Sequence, residues 1–266
     1  MFDSRIVRNP AVPTQAKEEQ MMELAGKVAL VTGGSRGIGA AIAQRLAQDG
    51  ADVALTYASA ADKARAVAQQ IEDKGGRAVI IRADHADPGA AADAVKQTVQ
   101  QLGRLDILVN NAGIFTGGPL EDTTMEDLDR ILAIDVKAVF LASQQAARYM
   151  SDGGRIINIG SALADRVPGP TLTLYSMSKS ALGGLTKGLA RDLGSRGIRA
   201  TLIQAGPIDT DMNPENGPAG DFLRSVTSLG HYGRAEDIAA LVAYLAGDGG
   251  RYVTGTAITI DGGLAA

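Results

Sequence analysis

The segment KVALVTGGSRGIGAAIAQRLAQ (27–48) decides the fold. Its opening run, KVALVT (27–32), is aliphatic without alternation, as in a strand covered on both faces. Its closing part repeats apolar residues at helical spacing. Between them lies Thr32-Gly33-Gly34-Ser35-Arg36-Gly37-Ile38-Gly39. Glycines at 33, 37 and 39 permit a tight turn, a close backbone approach to a pyrophosphate, and close packing of helix on sheet. The helix start presents its positive end to the phosphates. A glycine-rich turn alone is only a tight connection. Set between strand and helix, it reads as a dinucleotide site lined by Gly33, Ser35, Arg36, Gly37, Ile38 and Gly39.

Outward from this segment the same alternation continues. Strands read as DVALTY (52–57), AVIIRA (78–83), LDILVN (105–110), RIINIG (155–160), RATLIQ (199–204) and TAITID (256–261). Helical patterns fall near 37–49, 60–74, 88–102, 124–150, 174–195 and 235–247. The fold class is therefore α/β: one doubly wound, Rossmann-type domain over 25–266 with a seven-stranded parallel sheet, and its crevice at the carboxyl ends of the strands. Residues 1–24 lack the apolar core of a secretory signal and read as a loosely ordered N-terminal extension, the chain as cytoplasmic.

Composition narrows the chemistry. The chain has 266 residues, no cysteine, two histidines and a formal charge of -4. Thiol catalysis and disulfides are excluded. His85 and His231 stand alone, so no metal site is expected. No basic block suggests nucleic acid, and no apolar run is long enough to span a membrane. Gly33, Ser35 and Gly37 also satisfy the G-x-S-x-G elbow of α/β-hydrolases. That reading needs His231 as the downstream histidine, and no oxyanion segment precedes the serine.

The second strand ends Thr56-Tyr57-Ala58-Ser59, with no carboxylate before Asp62. An acid there favours the ribose hydroxyls of NAD, whereas its absence together with Arg36 favours a 2′-phosphate. The cofactor is therefore read as NADP(H). Asp84, after the third strand, is placed to bond the adenine amino group, and His85 to offer a backbone group and a flat side chain. Ser161 follows the fifth strand. Tyr175 and Lys179 are spaced i, i+4, which puts phenol and ammonium on one helix face. A cation beside a tyrosine stabilises the phenolate, as general acid–base work requires.

The set TGGSRGIG, NNAG (110–113), Ser161 and Tyr-x-x-x-Lys (175–179), in this order and at these strand ends, resembles the short-chain dehydrogenase/reductases, most of all 3-oxoacyl-(acyl-carrier-protein) reductases. The resemblance covers nearly the whole chain from about residue 24. It implies strand order 3-2-1-4-5-6-7 and a homotetramer. It also implies a carbonyl–alcohol interconversion in which Tyr175 transfers the proton, Ser161 bonds the substrate oxygen, and Lys179 tunes the tyrosine and holds the nicotinamide ribose. By the same resemblance Asn111 and Gly113 line the cofactor, Ile208 and Thr210 flank its carboxamide, and Tyr57, Ser59, Asp84 and His85 surround its adenosine end. The substrate is a 3-oxoacyl thioester or, alternatively, a general ketone or aldehyde. A catalytically silent NADP(H) sensor is the reading from another class.

Three departures stand out. Asp135 occupies the place of the family's relay asparagine, and a charge there should raise the Lys179 pKa. The loop after the sixth strand reads Ala205-Gly206-Pro207 instead of Pro-Gly. One extra residue separates Ser161 from Tyr175, within 166–173. Substrate identity is expected in Met212–Leu229, a turn-rich segment resembling a mobile lid, with Phe222, Leu223 and Leu229 as pocket or core. Arg196 matches a basic position beside the mouth of carrier-protein reductases, while Asp152 replaces the other.

Overall fold

Each strand of the central sheet must satisfy two helix layers at once, and the first strand shows how. In the computed structural model, which describes residues 23–266, β1 (Val28–Val31) is buried at all four positions. Ala29 and Val31 join one core and Val28 and Leu30 the other, because successive side chains leave a strand on opposite faces. Helices α1 (Gly37–Gln48), α2 (Ala61–Glu72) and α8 (Ala235–Ala246) cover the first face through Ile42, Leu46, Val67 and Ile238. Helices α3 (Pro88–Leu102), α5 (Ala138–Tyr149) and α6 (Thr173–Leu193) cover the second through Ala94, Ala142 and Leu189. The small alanine contacts let helix and sheet approach closely.

The remaining strands are β2 (Asp52–Tyr57), β3 (Ala78–Arg82), β4 (Ile107–Asn110), β5 (Arg155–Ser161), β6 (Arg199–Ala205) and β7 (Thr256–Ile260). All pair in parallel in the order β3-β2-β1-β4-β5-β6-β7. This is the order that the resemblance implies. The chain winds outward from β1 to β3 and then restarts at β4 on the other side of β1. The crevice between the diverging loops after β1 and β4 is thereby fixed at the switch point.

Two elements differ from the sequence reading. The stretch 124–150 is not one regular helix: α4 (Met125–Leu132) passes through a π-helical turn (Ala133–Lys137) into α5. The expected lid contains a short helix, α7 (Gly220–Val226). The extension expected over 1–24 lies outside the described residues except for its last two. Of these, Leu24 is buried and donates its N–H to Asp49 O at 2.8 Å, while Glu23 accepts from Asp248 N. Among the described residues no helix is long and apolar enough to cross a membrane, and no cluster of metal-ligating side chains occurs.

Candidate active site

The glycine loop is braced from both sides. Gly33 and Gly37 adopt positive φ, +65° and +54°. Gly33 N donates to Thr56 Oγ1 (2.9 Å) and Gly34 N to Thr56 O (2.9 Å). A Cβ on Gly39 would stand 2.4 Å from Gly33 O and 2.5 Å from Asn111 Nδ2, so only glycine fits. Asn111 Nδ2 donates to Thr32 O (2.8 Å) and Gly33 O (3.3 Å), and Thr32 Oγ1 accepts from the N–H of Asn111 and of Ala112. Asn111 therefore holds the loop in shape, a positioning role that its reading as a lining residue did not specify. At the start of α1, Arg36 stands at the N-cap without a side-chain cap. The backbone cradle, which any Cβ at 39 would fill, and the uncapped amides of the helix start fit a pyrophosphate.

Toward the far end of this cleft, Tyr57 packs partly against the core and Ser59 is exposed. Asp62, the first carboxylate after β2, faces solvent and pairs with Arg65. Asp84 accepts from Ala86 N at 3.0 Å and stays exposed. His85 departs from expectation: the residue is only 6% exposed, so it does not lie open as a flat surface, and neither ring nitrogen has a hydrogen-bond partner. Burial lowers its pKa, and the charges of Asp84 and Asp135 only partly oppose this.

Ser161 closes β5, buried, its Oγ accepting from Leu163 N at 3.2 Å. The short turn that follows (Ala162–Ala164) packs on α6, where Ser180 Oγ donates to Ala164 O at 3.0 Å. Tyr175 and Lys179 share one face of α6, with Lys179 Nζ 5.6 Å from the Tyr175 ring centroid. Behind the lysine, Asp135 Oδ2 lies 2.9 Å from Nζ, with both side chains withdrawn from solvent. Asp135 sits in the π turn, and its Oδ1 accepts from Ile114 N at 3.0 Å. Burial pushes the Lys179 pKa down, but the charges of Asp135 and Tyr175 and the bond to Asp135 push it up further, so the net shift is upward, as the sequence reading anticipated. Gly113 passes directly over this pair: a Cβ there would be 3.0 Å from Lys179 Nζ.

Beneath the site runs a polar ladder that the sequence reading missed. Asn110 Nδ2 donates to Asn158 Oδ1 (2.9 Å) and Ser143 Oγ (3.1 Å), and Asn158 Nδ2 donates to Thr186 Oγ1 (2.9 Å). All four residues are buried. The ladder ties β4, β5, α5 and α6 together: Asn111 directly follows β4, Ser161 ends β5, Asp135 sits in the π turn that leads into α5, and Lys179 is on α6. Its signal in the sequence was two asparagines inside otherwise apolar strands.

The loop after β6 closes the other wall. Gly206 must be glycine, since a Cβ would stand 2.4 Å from Asp261 Cα; nothing in the structure explains the shifted proline of Ala205-Gly206-Pro207. Ile208 is buried, and the Thr210 methyl reaches the glycine loop, 3.3 Å from where a Cβ on Gly37 would be. Five exposed apolar side chains belong to the segments that follow β4, β5 and β6: Phe115, Val167, Met212, Phe222 and Leu229. The Phe115 and Tyr175 rings lie 5.1 Å apart, tilted by 56°. Phe222 and Leu229, left open as pocket or core, are therefore surface groups, while Leu223 is half-buried.

One expectation is corrected, and the rival hydrolase reading fails. Arg196 is not beside this mouth. Its guanidinium donates to Ala147 O (2.6 Å) and Met150 O (2.5 Å) at the end of α5, and its carbonyl accepts from Gly153 N, just before β5 begins. Ser161 is at the opposite end of that strand. Asp152 pairs with Arg196 at 3.8 Å. Nor does His231 serve Ser35: its Nδ1 meets Tyr232 O at 2.8 Å, and among the described residues no hydrogen bond links it to that serine.

Similar proteins share this fold. Residues 33–265 match the family model described as Enoyl-(Acyl carrier protein) reductase. A curated Escherichia coli relative, the cyclic-di-GMP-binding biofilm dispersal mediator protein, is 47% identical over 241 residues, 91% of this chain and 98% of the relative. A short-chain dehydrogenase from Burkholderia cenocepacia solved in complex with NADP superposes with a TM-score of 0.91 at 55% identity, covering 92% of this chain and 100% of that one. A blue fluorescent protein from a metagenomic library, solved with NADPH, gives 0.90 at 58% identity with the same coverage.

Proposed function

The chain belongs to the short-chain dehydrogenase/reductase family, and from that premise we propose that it is an NADP(H)-dependent oxidoreductase that interconverts a carbonyl and a secondary alcohol. The observation that carries the reading is the Tyr175–Lys179–Asp135 assembly, with an ammonium one turn from a phenol and held there by a buried carboxylate. A site that only binds nucleotide has no need of it.

NADPH, when bound, supplies the hydride. Residues Gly33 to Gly39 and the start of α1 would hold the pyrophosphate, and Arg36 would pair with the 2′-phosphate, with no carboxylate in the sequence between β2 and Asp62 to repel it. Tyr175 gives its hydroxyl proton to the substrate oxygen. Ser161 donates a hydrogen bond to the same oxygen and fixes its position. Lys179 holds the positive charge that stabilises the tyrosinate left behind. Phe115 covers the tyrosine ring and limits water there.

For the substrate, the apolar mouth and the engagement of Arg196 at the far edge of the sheet favour a free ketone or aldehyde over a 3-oxoacyl group on a carrier protein. The assembly proposed is a homotetramer using the apolar groove of Val136, Phe140, Leu141 and Leu185, and light scattering at micromolar concentration tests it. The cytoplasmic assignment belongs to the same proposal and is tested by cell fractionation.

The test of function follows NADPH and NADH consumption with simple ketones, a dione, acetoacetyl-CoA, an acyl-carrier 3-oxo thioester analogue and an enoyl thioester. NADPH-selective turnover of the ketones is expected. Turnover confined to a carrier thioester overturns the substrate reading, and turnover of the enoyl compound alone overturns carbonyl chemistry. The second reading, a nucleotide-binding module, is favoured by the name of the Escherichia coli relative. NADPH or cyclic-di-GMP binding without turnover of any carbonyl would replace the enzyme by that module.

A further inference from the structure

Two cations stand where isolated helices least favour them. Arg36 is the N-cap residue of α1, and Lys63 is in the first turn of α2. Helix N-termini carry partial positive charge, so a cation at either one is disfavoured unless an anion is near. The anion is Asp211, which comes from the loop after β6. Its Oδ2 lies 2.8 Å from Lys63 Nζ and 3.7 Å from Arg36 Nη1. One carboxylate thus faces two side-chain cations and two helix starts, and a doubly charged anion would match the set better than the aspartate does.

We infer that Lys63 and Arg36 form a two-cation site for the 2′-phosphate of the nucleotide, which Asp211 occupies as an internal stand-in until the phosphate displaces it. The inference rests on the NADP(H) reading above and goes beyond it in two ways. It adds Lys63, which sequence reasoning did not single out, as a residue that selects for the phosphate. It also makes Asp211 a competitor for the site.

The topology explains why an internal competitor is possible here. Lys63 and Asp211 are 148 positions apart, on opposite walls of the crevice, and their contact crosses it. All three side chains are more than half exposed, so solvent screens the pairing and a phosphate can exchange with it. Asp62, the nearest acid on α2 itself, faces solvent and pairs with Arg65, leaving Lys63 to Asp211. The neighbouring Thr210 lies against the glycine loop, its methyl 3.3 Å from where a Cβ on Gly37 would be, which keeps Asp211 close to Arg36.

The test is calorimetric binding of adenosine 2′,5′-bisphosphate and 5′-AMP to the full chain, two probes that differ only in the 2′-phosphate. Wild type should bind the bisphosphate more tightly. Asp211→Asn, which keeps the size and removes the charge, should strengthen bisphosphate binding about three- to tenfold by removing the competitor, with 5′-AMP unchanged. Lys63→Met should weaken the bisphosphate roughly tenfold with 5′-AMP unchanged. If Asp211→Asn weakens both probes alike, the contact is a clasp over the nucleotide, and the competitor reading is overturned. No change in either variant overturns it as well. Equal affinity of wild type for the two probes would instead defeat the NADP(H) reading on which this one stands.

Discussion

Lys179 Nζ lies 2.9 Å from Asp135 Oδ2, and neither side chain has appreciable contact with solvent. Breaking such a pair leaves a buried charge uncompensated, at a cost of about 3 kcal/mol or more. Asp135→Asn should therefore destabilise the fold by roughly that amount near neutral pH. The pH dependence has a definite sign. Because the folded-state pKa of Lys179 is raised, its contribution is complete below the ordinary value of 10.5 and is lost as pH rises through the folded value. Urea denaturation followed from pH 9 upward should show this decline setting in above 10.5 in wild type and a flatter curve in the variant. Superimposable curves would remove the role assigned to Asp135.

His85 should give the opposite slope. Its pKa is lowered by burial, so the unfolded chain takes up a proton more readily than the folded one. Stability from keeping His85 neutral is present above 6.5 and declines as pH falls below it. His85→Phe fills the same space without a titrating group and should remove part of the loss seen between pH 7 and 5. An unchanged slope would mean that carboxylates alone set the acid limit.

Tyr175→Phe should keep NADPH affinity and lose turnover by about a hundredfold or more, the scale of general acid catalysis. Fluorescence titration of NADPH alongside steady-state rates separates the two effects. Undiminished turnover would require another proton donor.

Gly39→Ala places a methyl group against Gly33 O and Asn111 Nδ2. The loop and helix must separate to admit it, at a cost of about 1–3 kcal/mol. Both thermal stability and nucleotide affinity should fall. Retained affinity in a destabilised variant would show that the cradle reforms around the ligand.

Much of this was legible in the sequence because the controlling forces are local. Strands such as ILVN (107–110) are apolar on both faces wherever they are read, and a tyrosine and lysine one helical turn apart share a face in any helix. The unread features depend on which distant segments meet. Alanine-rich sequence around Asp135 serves an α-helix and a π turn equally well, so the turn left no mark. Arg196 matched a position by resemblance, yet its guanidinium went to helix carbonyls at the opposite edge of the sheet. Lys63 has no local feature that sets it apart, and its partner Asp211 is brought to it only by the fold.

The π turn at Ala133–Lys137 amounts to one residue more than a regular helix would hold between α4 and α5. Deleting a single residue there would let ordinary helical hydrogen bonding close up with little change of phase between α4 and α5, because the wider π turn takes one residue more to go once around. The backbone alone would welcome that repair, but Asp135 would leave Lys179. The irregularity thus works like slack left in a thread, lodging one extra residue so that a carboxylate reaches the lysine while the helices on either side keep their alignment.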